Sequence, residues 1–101
     1  MIAEQIEEKG EQIVGSWLKS NGYFRIVLHE KKSEIEADSG MRRIFVYIKT
    51  TLNNKNEKLS KDEIKLIKSN AIKRNREPWL AIVKIQCDNQ SNHIQWKNLS
   101  K

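Results

Sequence analysis

The sequence predicts an α/β domain with the order α-β-β-β-α-β-β, a mixed central sheet flanked by helices. Three observations carry this. Residues 33–50, SEIEADSGMRRIFVYIKT, read as two strands joined by a tight turn. Residues 2–21, and the stretch that opens at Ser60, place apolar residues at helical spacing. Residues 79–86, WLAIVKIQ, form a near-continuous apolar run, as a strand covered on both faces does. A chain of 101 residues makes one domain, 1–101, with one modest core.

In the first helix Ile6, Gly10, Ile13, Val14, Trp17 and Leu18 fall at i, i+3, i+4 spacings and make one apolar face. Glu4, Glu7, Glu8 and Glu11 load its first half, which suits the positive end of the helix dipole. Gly10 marks either a close packing contact or a break between two helical pieces. Asn21-Gly22 ends the helix, with Gly22 at the left-handed C′ position.

Residues 23–30, YFRIVLHE, predict a strand with Tyr23, Arg25, Val27 and His29 on one face. Lys31-Lys32 turns the chain into the hairpin. Glu34, Glu36 and Asp38 alternate with Ile35 and Ala37, a period of two. Ser39-Gly40 is a turn signal. In residues 43–50 Ile44, Val46 and Ile48 take one face, and Phe45, Tyr47 and Lys49 the other. Apolar residues on both faces predict a central strand.

Residues 51–59 are polar and Asn-rich and read as a loop. Ser60 with Glu63 is a capping box. Ile64, Ile67 and Ala71 form the apolar stripe of the second helix, widened by Leu66 and Ile72. Glu77-Pro78 is expected to stop it. The strand at 79–86 is expected to run parallel to 43–50 across this helix. Residues 88–92 read as a turn and 93–99 as a last short strand. Trp79 reads as core at a strand start. Trp96, on a weak terminal strand, reads either as core or as an exposed ring able to stack on a base.

No run of about 18 apolar residues predicts a membrane helix. The acidic N-terminal stretch has no apolar secretory segment. The single cysteine, Cys87, rules out an intramolecular disulfide, and a cytoplasmic location is expected. His29 and His93 stand apart, so no zinc cluster is indicated. Residues 1–38 hold 5 Lys/Arg against 8 Asp/Glu, net −3, and residues 39–101 hold 14 against 5, net +9. An acidic pole and a basic surface follow, and a basic surface favours polyanions. The candidate contacts are Lys61, Lys65, Lys68, Lys73, Arg74 and Arg76.

With these residues in hand the chain resembles the restriction-endonuclease-like superfamily, the PD-(D/E)xK nucleases. It is similar above all to archaeal Holliday-junction resolvases and to small uncharacterised bacterial proteins of the same fold. The resemblance spans about residues 10–86. It rests on Gly10-Glu11, Leu18, Gly22-Tyr23, Ser33-Glu34-Ile35-Glu36, Tyr47-Ile48-Lys49-Thr50, and the residues from Leu59-Ser60 to Val83. It implies a restriction-endonuclease-like core, Mg²⁺ held by two carboxylates on the hairpin, and a lysine that positions or activates the attacking water. On that pattern Glu36 is the first acid, Lys49 the lysine and Glu11 an added acid on the helix. The position of the second acid holds Tyr47, a poor ligand for a hard cation. Either the acid has moved to Glu34, Asp38 or Glu11, or the site does not cleave. The metal set is then Glu36, Asp38 and Glu11. The resemblance also implies a homodimer, because such resolvases act in pairs.

Simpler readings stand beside these. Glu34, Glu36 and Asp38 also read as a solvated strand face, Lys49 as an ion-pair partner of Glu36, Glu11 as a surface residue, and Tyr47 as core. Three function classes remain open: a metal-dependent nuclease, a non-cleaving nucleic-acid binder with DNA as the expected partner, and a protein-interaction module on the same fold.

Overall fold

The computed structural model describes residues 3–29, 33–52, 58–85 and 92–100. Cys87, Glu30, Lys31-Lys32, the Asn-rich stretch 53–57 and most of the expected turn at 88–92 lie outside them. The elements are α1 (Ala3–Ser20), β1 (Phe24–His29), β2 (Glu34–Ser39), β3 (Arg42–Leu52), α2 (Lys61–Lys73), β4 (Glu77–Ile85) and β5 (Asn92–Asn98). They form one five-stranded sheet in the order β1-β2-β3-β4-β5. The pairs β1–β2, β2–β3 and β4–β5 are antiparallel and β3–β4 is parallel. A parallel pair needs a crossover, and α2 supplies it. This is the mixed, helix-flanked architecture that the sequence predicts.

The alternation of β3 divides the core into two. Ile44, Val46 and Ile48 pack with Val14 and Leu18 of α1, Ile35 and Ala37 of β2, and Ala81 and Val83 of β4. Phe45 packs on the other side with Ile67 and Ala71 of α2, Leu80 and Leu99. Phe45 is fully buried, which stabilises the fold by about 2–3 kcal/mol over leaving it in water.

Helix α1 runs unbroken through Gly10. A Cβ placed there would lie 1.9 Å from Thr50 Oγ1, so the glycine serves a close approach of α1 to β3. Gly22, at φ +86°, closes α1 with the Tyr23 N–H donating to Leu18 O at 2.9 Å. The capping box is present at the start of α2, where Glu63 N–H donates to Ser60 Oγ at 3.1 Å.

Several details depart from expectation. Helix α2 ends at Lys73, well before Glu77-Pro78. The stop comes from Asn75, which takes a left-handed φ of +56°, while Arg76 N–H donates to Ala71 O at 2.9 Å. Pro78 is instead the second residue of β4. Leu66 and Ile72 do not widen the buried stripe, because they are 62% and 74% exposed. The alternation predicted for β1 is broken between Phe24 and Val27, where the register shifts and Arg25 takes φ +50°. Strand β3 runs on to Leu52, beyond the expected end.

Candidate functional site

The hairpin register sets the geometry. Gly40 and Met41 form a two-residue loop, with Ser39 opposite Arg42 and Gly40 at φ +38°. Glycine at the first loop position is what a tight right-twisted hairpin requires. Glu34 then stands opposite Tyr47, Glu36 opposite Phe45, and Asp38 opposite Arg43. All three carboxylates share the face of Phe45, Tyr47 and Lys49, the α2 side of the sheet. Lys49 is the diagonal neighbour of Glu34, a separation of about 7 Å. Glu36 is one pair further away. By register Glu34 is thus closer to Lys49 than Glu36 is.

Lys49 lies near the start of α2. The capping hydrogen bonds from Ser60 hold the Glu63 carboxyl below its ordinary range, and the positive charge of Lys49 adds to the effect.

Glu36 and Asp38 sit in a cage of arginines at the opposite end of the hairpin face. Arg74 Nη1 donates to Glu36 Oε2 at 2.6 Å. Arg76 Nε lies 2.8 Å from Glu36 Oε1, an ionic contact without hydrogen-bond alignment. His29 Nε2 is hydrogen-bonded to Glu36 Oε2. Burial alone would raise the Glu36 pKa. The His29 hydrogen bond and the charges of Arg74 and Arg76 outweigh it, so the group stays below its ordinary value. Arg76 Nη1 donates to Asp38 Oδ1 at 2.7 Å and to Ala37 O at 3.1 Å. Arg25 and Arg43 approach Asp38 more loosely, at 3.7 and 3.9 Å.

The residues expected in the site therefore fall into separate places. Glu36, Asp38, Arg74 and Arg76 come together as an ion network. The Arg76 side chain is only 10% exposed, so it braces the hairpin rather than facing solvent. Glu11 is buried at 7% exposure and borders a groove of about 870 Å³ on the α1 side, floored by Ile26, Leu28 and Ile35. Lys49 leaves β3 on the α2 side. Lys61, Lys65 and Lys68 follow one another along α2 at i, i+4 and i+7, a single stripe, with Lys61 and Lys65 exposed and Lys68 half-buried.

A Mg²⁺ ion held by two hairpin carboxylates does not fit this arrangement. The oxygens of Glu36 and Asp38 are taken by guanidinium groups, and the residue opposite Glu34 is a phenol. Among the described residues no group of three or more His, Cys, Asp or Glu side chains is placed to share an ion.

Two features escape a reading of the sequence. All five arginines of the chain, Arg25, Arg42, Arg43, Arg74 and Arg76, converge on the hairpin end of the sheet. All three tryptophans, from α1, β4 and β5, converge on the α1 side. Both are long-range meetings with no local signal.

The order of elements, the antiparallel hairpin and the helical crossover into a parallel β4 define the restriction-endonuclease-like fold. The structure of Hjc, a Holliday junction resolvase of the archaeal hyperthermophile Archaeoglobus fulgidus, is similar to this chain with a TM-score of 0.62. The match covers 92% of this chain and 72% of that one, at 14% identity, and it is a likeness of fold. No protein-family model and no curated protein matches the sequence. Among the described residues no helix is long and apolar enough to cross a membrane.

Proposed function

We propose that this chain is a nucleic-acid-binding protein, with DNA as its partner, that does not use the two-carboxylate metal chemistry of the nucleases it resembles. One observation carries the reading: four arginines, Arg25, Arg43, Arg74 and Arg76, surround Glu36 and Asp38, so the hairpin end that would be acidic in a metal site is basic here. Arg42 and Arg43 stay exposed at that end, and the Lys61–Lys65–Lys68 stripe extends the basic surface along α2. Such a surface binds phosphates and releases counterions. Lys49 keeps the lysine of the nuclease pattern, but by register its nearer hairpin acid is Glu34 and not Glu36. The single cysteine suits a reducing cytoplasm.

A gel-shift series on duplex DNA, from about 50 to about 200 mM salt, tests the binding. Binding should weaken steeply with salt. Replacing Lys61, Lys65 and Lys68 together with Gln should flatten the slope of log K against log salt by about 3, close to one per lost phosphate contact. The same mixtures with Mg²⁺ or Mn²⁺ should leave the DNA intact. Cleavage abolished by Lys49→Ala would restore the nuclease reading.

Exposed Phe24, Val27 and Leu28 on the edge strand β1 favour a second reading, a protein-interaction module that pairs through this edge, with a homodimer as the simplest case. Absence of any DNA shift, with a dimer mass in light scattering, would select it.

A further inference from the structure

The three tryptophans form one cluster beside the arginine-rich end. The Trp17 and Trp96 ring centroids are 4.7 Å apart and tilted by 44°, and Trp79 meets Trp96 edge-on at 6.3 Å. With Tyr23, Arg42 and Ile44 they line a cavity of about 240 Å³ on the α1 side. Ligand pockets for larger small molecules begin at about 300 Å³, so this one has room for a single flat ring.

Charge narrows the choice of ligand. Aromatic cages also take ammonium groups, but such a ligand would meet the cation Arg42 here. Glu77 meets two neutral donors. Its Oε1 accepts from Trp79 Nε1 at 2.9 Å and from Asn98 Nδ2 at 3.2 Å. The first contact holds the Trp79 ring in place. Trp96 Nε1 is buried and has no acceptor among the described residues. Trp17 is 38% exposed and offers part of its ring to solvent. An aromatic wall beside a guanidinium suits a flat base attached to a phosphate.

We propose that this pocket stacks one unpaired base of a single-stranded nucleic acid, with Arg42 on the neighbouring phosphate. The inference rests on the nucleic-acid reading above and adds a preference for single strands. A duplex keeps its bases stacked and offers none to the pocket.

Because every tryptophan of the chain lies in the cluster, intrinsic fluorescence reports on it directly. The protein is titrated with an oligothymidylate, with an abasic strand of equal length, and with a labelled duplex read by anisotropy. The thymidylate should quench the emission and bind about tenfold more tightly than the abasic strand. Trp17→Ala should weaken thymidylate binding about tenfold while the duplex binds as before, and Trp17→Phe should restore most of the loss. Equal binding of the thymidylate and abasic strands, or an unaltered Trp17→Ala protein, overturns the pocket and leaves the binding surface standing. Failure of all three nucleic acids to bind overturns both.

Discussion

Glu34 stands opposite Tyr47 across the β2–β3 pair, and Glu34 is buried. In this register the phenol that holds the second-acid position faces Glu34, while Glu36, the first acid of the resemblance, faces Phe45. Tyr47→Glu would set two carboxylates side by side. Like charges directly opposite in a sheet destabilise it, and burial makes each charge costlier. Tyr47→Glu should therefore be less stable than Tyr47→Gln in EDTA, by about 1–2 kcal/mol. Added Mg²⁺ should close that gap and leave the wild type unchanged. Thermal melts of the three proteins measure it. A Mg²⁺-induced rise in the wild-type midpoint would show that the native site already holds an ion.

Arg76 and Arg74 both reach Glu36, but their surroundings differ. The Arg76 side chain is 10% exposed and bridges Glu36 and Asp38, whereas that of Arg74 is 37% exposed. Removing one partner of a buried ion pair strands the other charge. Arg76→Ala should cost about 3 kcal/mol in urea unfolding. Arg74→Ala should cost under about 1 kcal/mol, in line with a solvent-screened pair. Equal losses would mean that the two arginines share the bracing role.

The depressed Glu36 pKa gives a pH test. Its folded value lies below the ordinary 4.5. Its stabilisation is therefore complete above that ordinary value and disappears as the pH falls through the lower, folded one. Glu36→Gln removes this contribution. The gap in urea midpoint between wild type and variant should be widest near pH 7 and should shrink steadily below about pH 4.5. A gap constant from neutral to strongly acid pH would show that the Glu36 charge adds nothing to the fold.

The parts of the fold legible in the sequence were those written in local patterns. The strand β3 alternates between two apolar faces, and α2 opens on Ser60 and Glu63, so both elements and their parallel crossover could be read directly. The hairpin register could not. The turn signal Ser39-Gly40 places the loop one residue before Gly40-Met41, where the structure has it, and moving the turn by one residue slides the pairing by two. The opposition of Glu34 to Tyr47 depends on that choice. The charge cage was hidden for another reason. Arg76 and Asp38 are 38 residues apart in the chain, and nothing near either one marks the other. Leu66 and Ile72 show the limit of periodicity, since a helix at a sheet face has flanks where an apolar side chain stays wet.

Gly10 and Gly15 lie on the same helix and make a matched pair. A Cβ at Gly10 would come 1.9 Å from Thr50 Oγ1 and 3.0 Å from Thr50 Cβ, whereas nothing lies within 4 Å of one at Gly15. Alanine is favoured over glycine in a helix by about 1 kcal/mol, so only the surroundings separate the two sites. Gly15→Ala should raise the stability by up to about 1 kcal/mol. Gly10→Ala should lower it by about 1–3 kcal/mol, because α1 must lift from β3 or Thr50 must move. Adding Thr50→Ala removes Oγ1 and Cγ2 but keeps the Cβ, so the double variant should recover only part of the loss. Urea unfolding of the four proteins measures each term. A Gly10→Ala protein as stable as Gly15→Ala would mean that α1 does not pack on β3 at this distance.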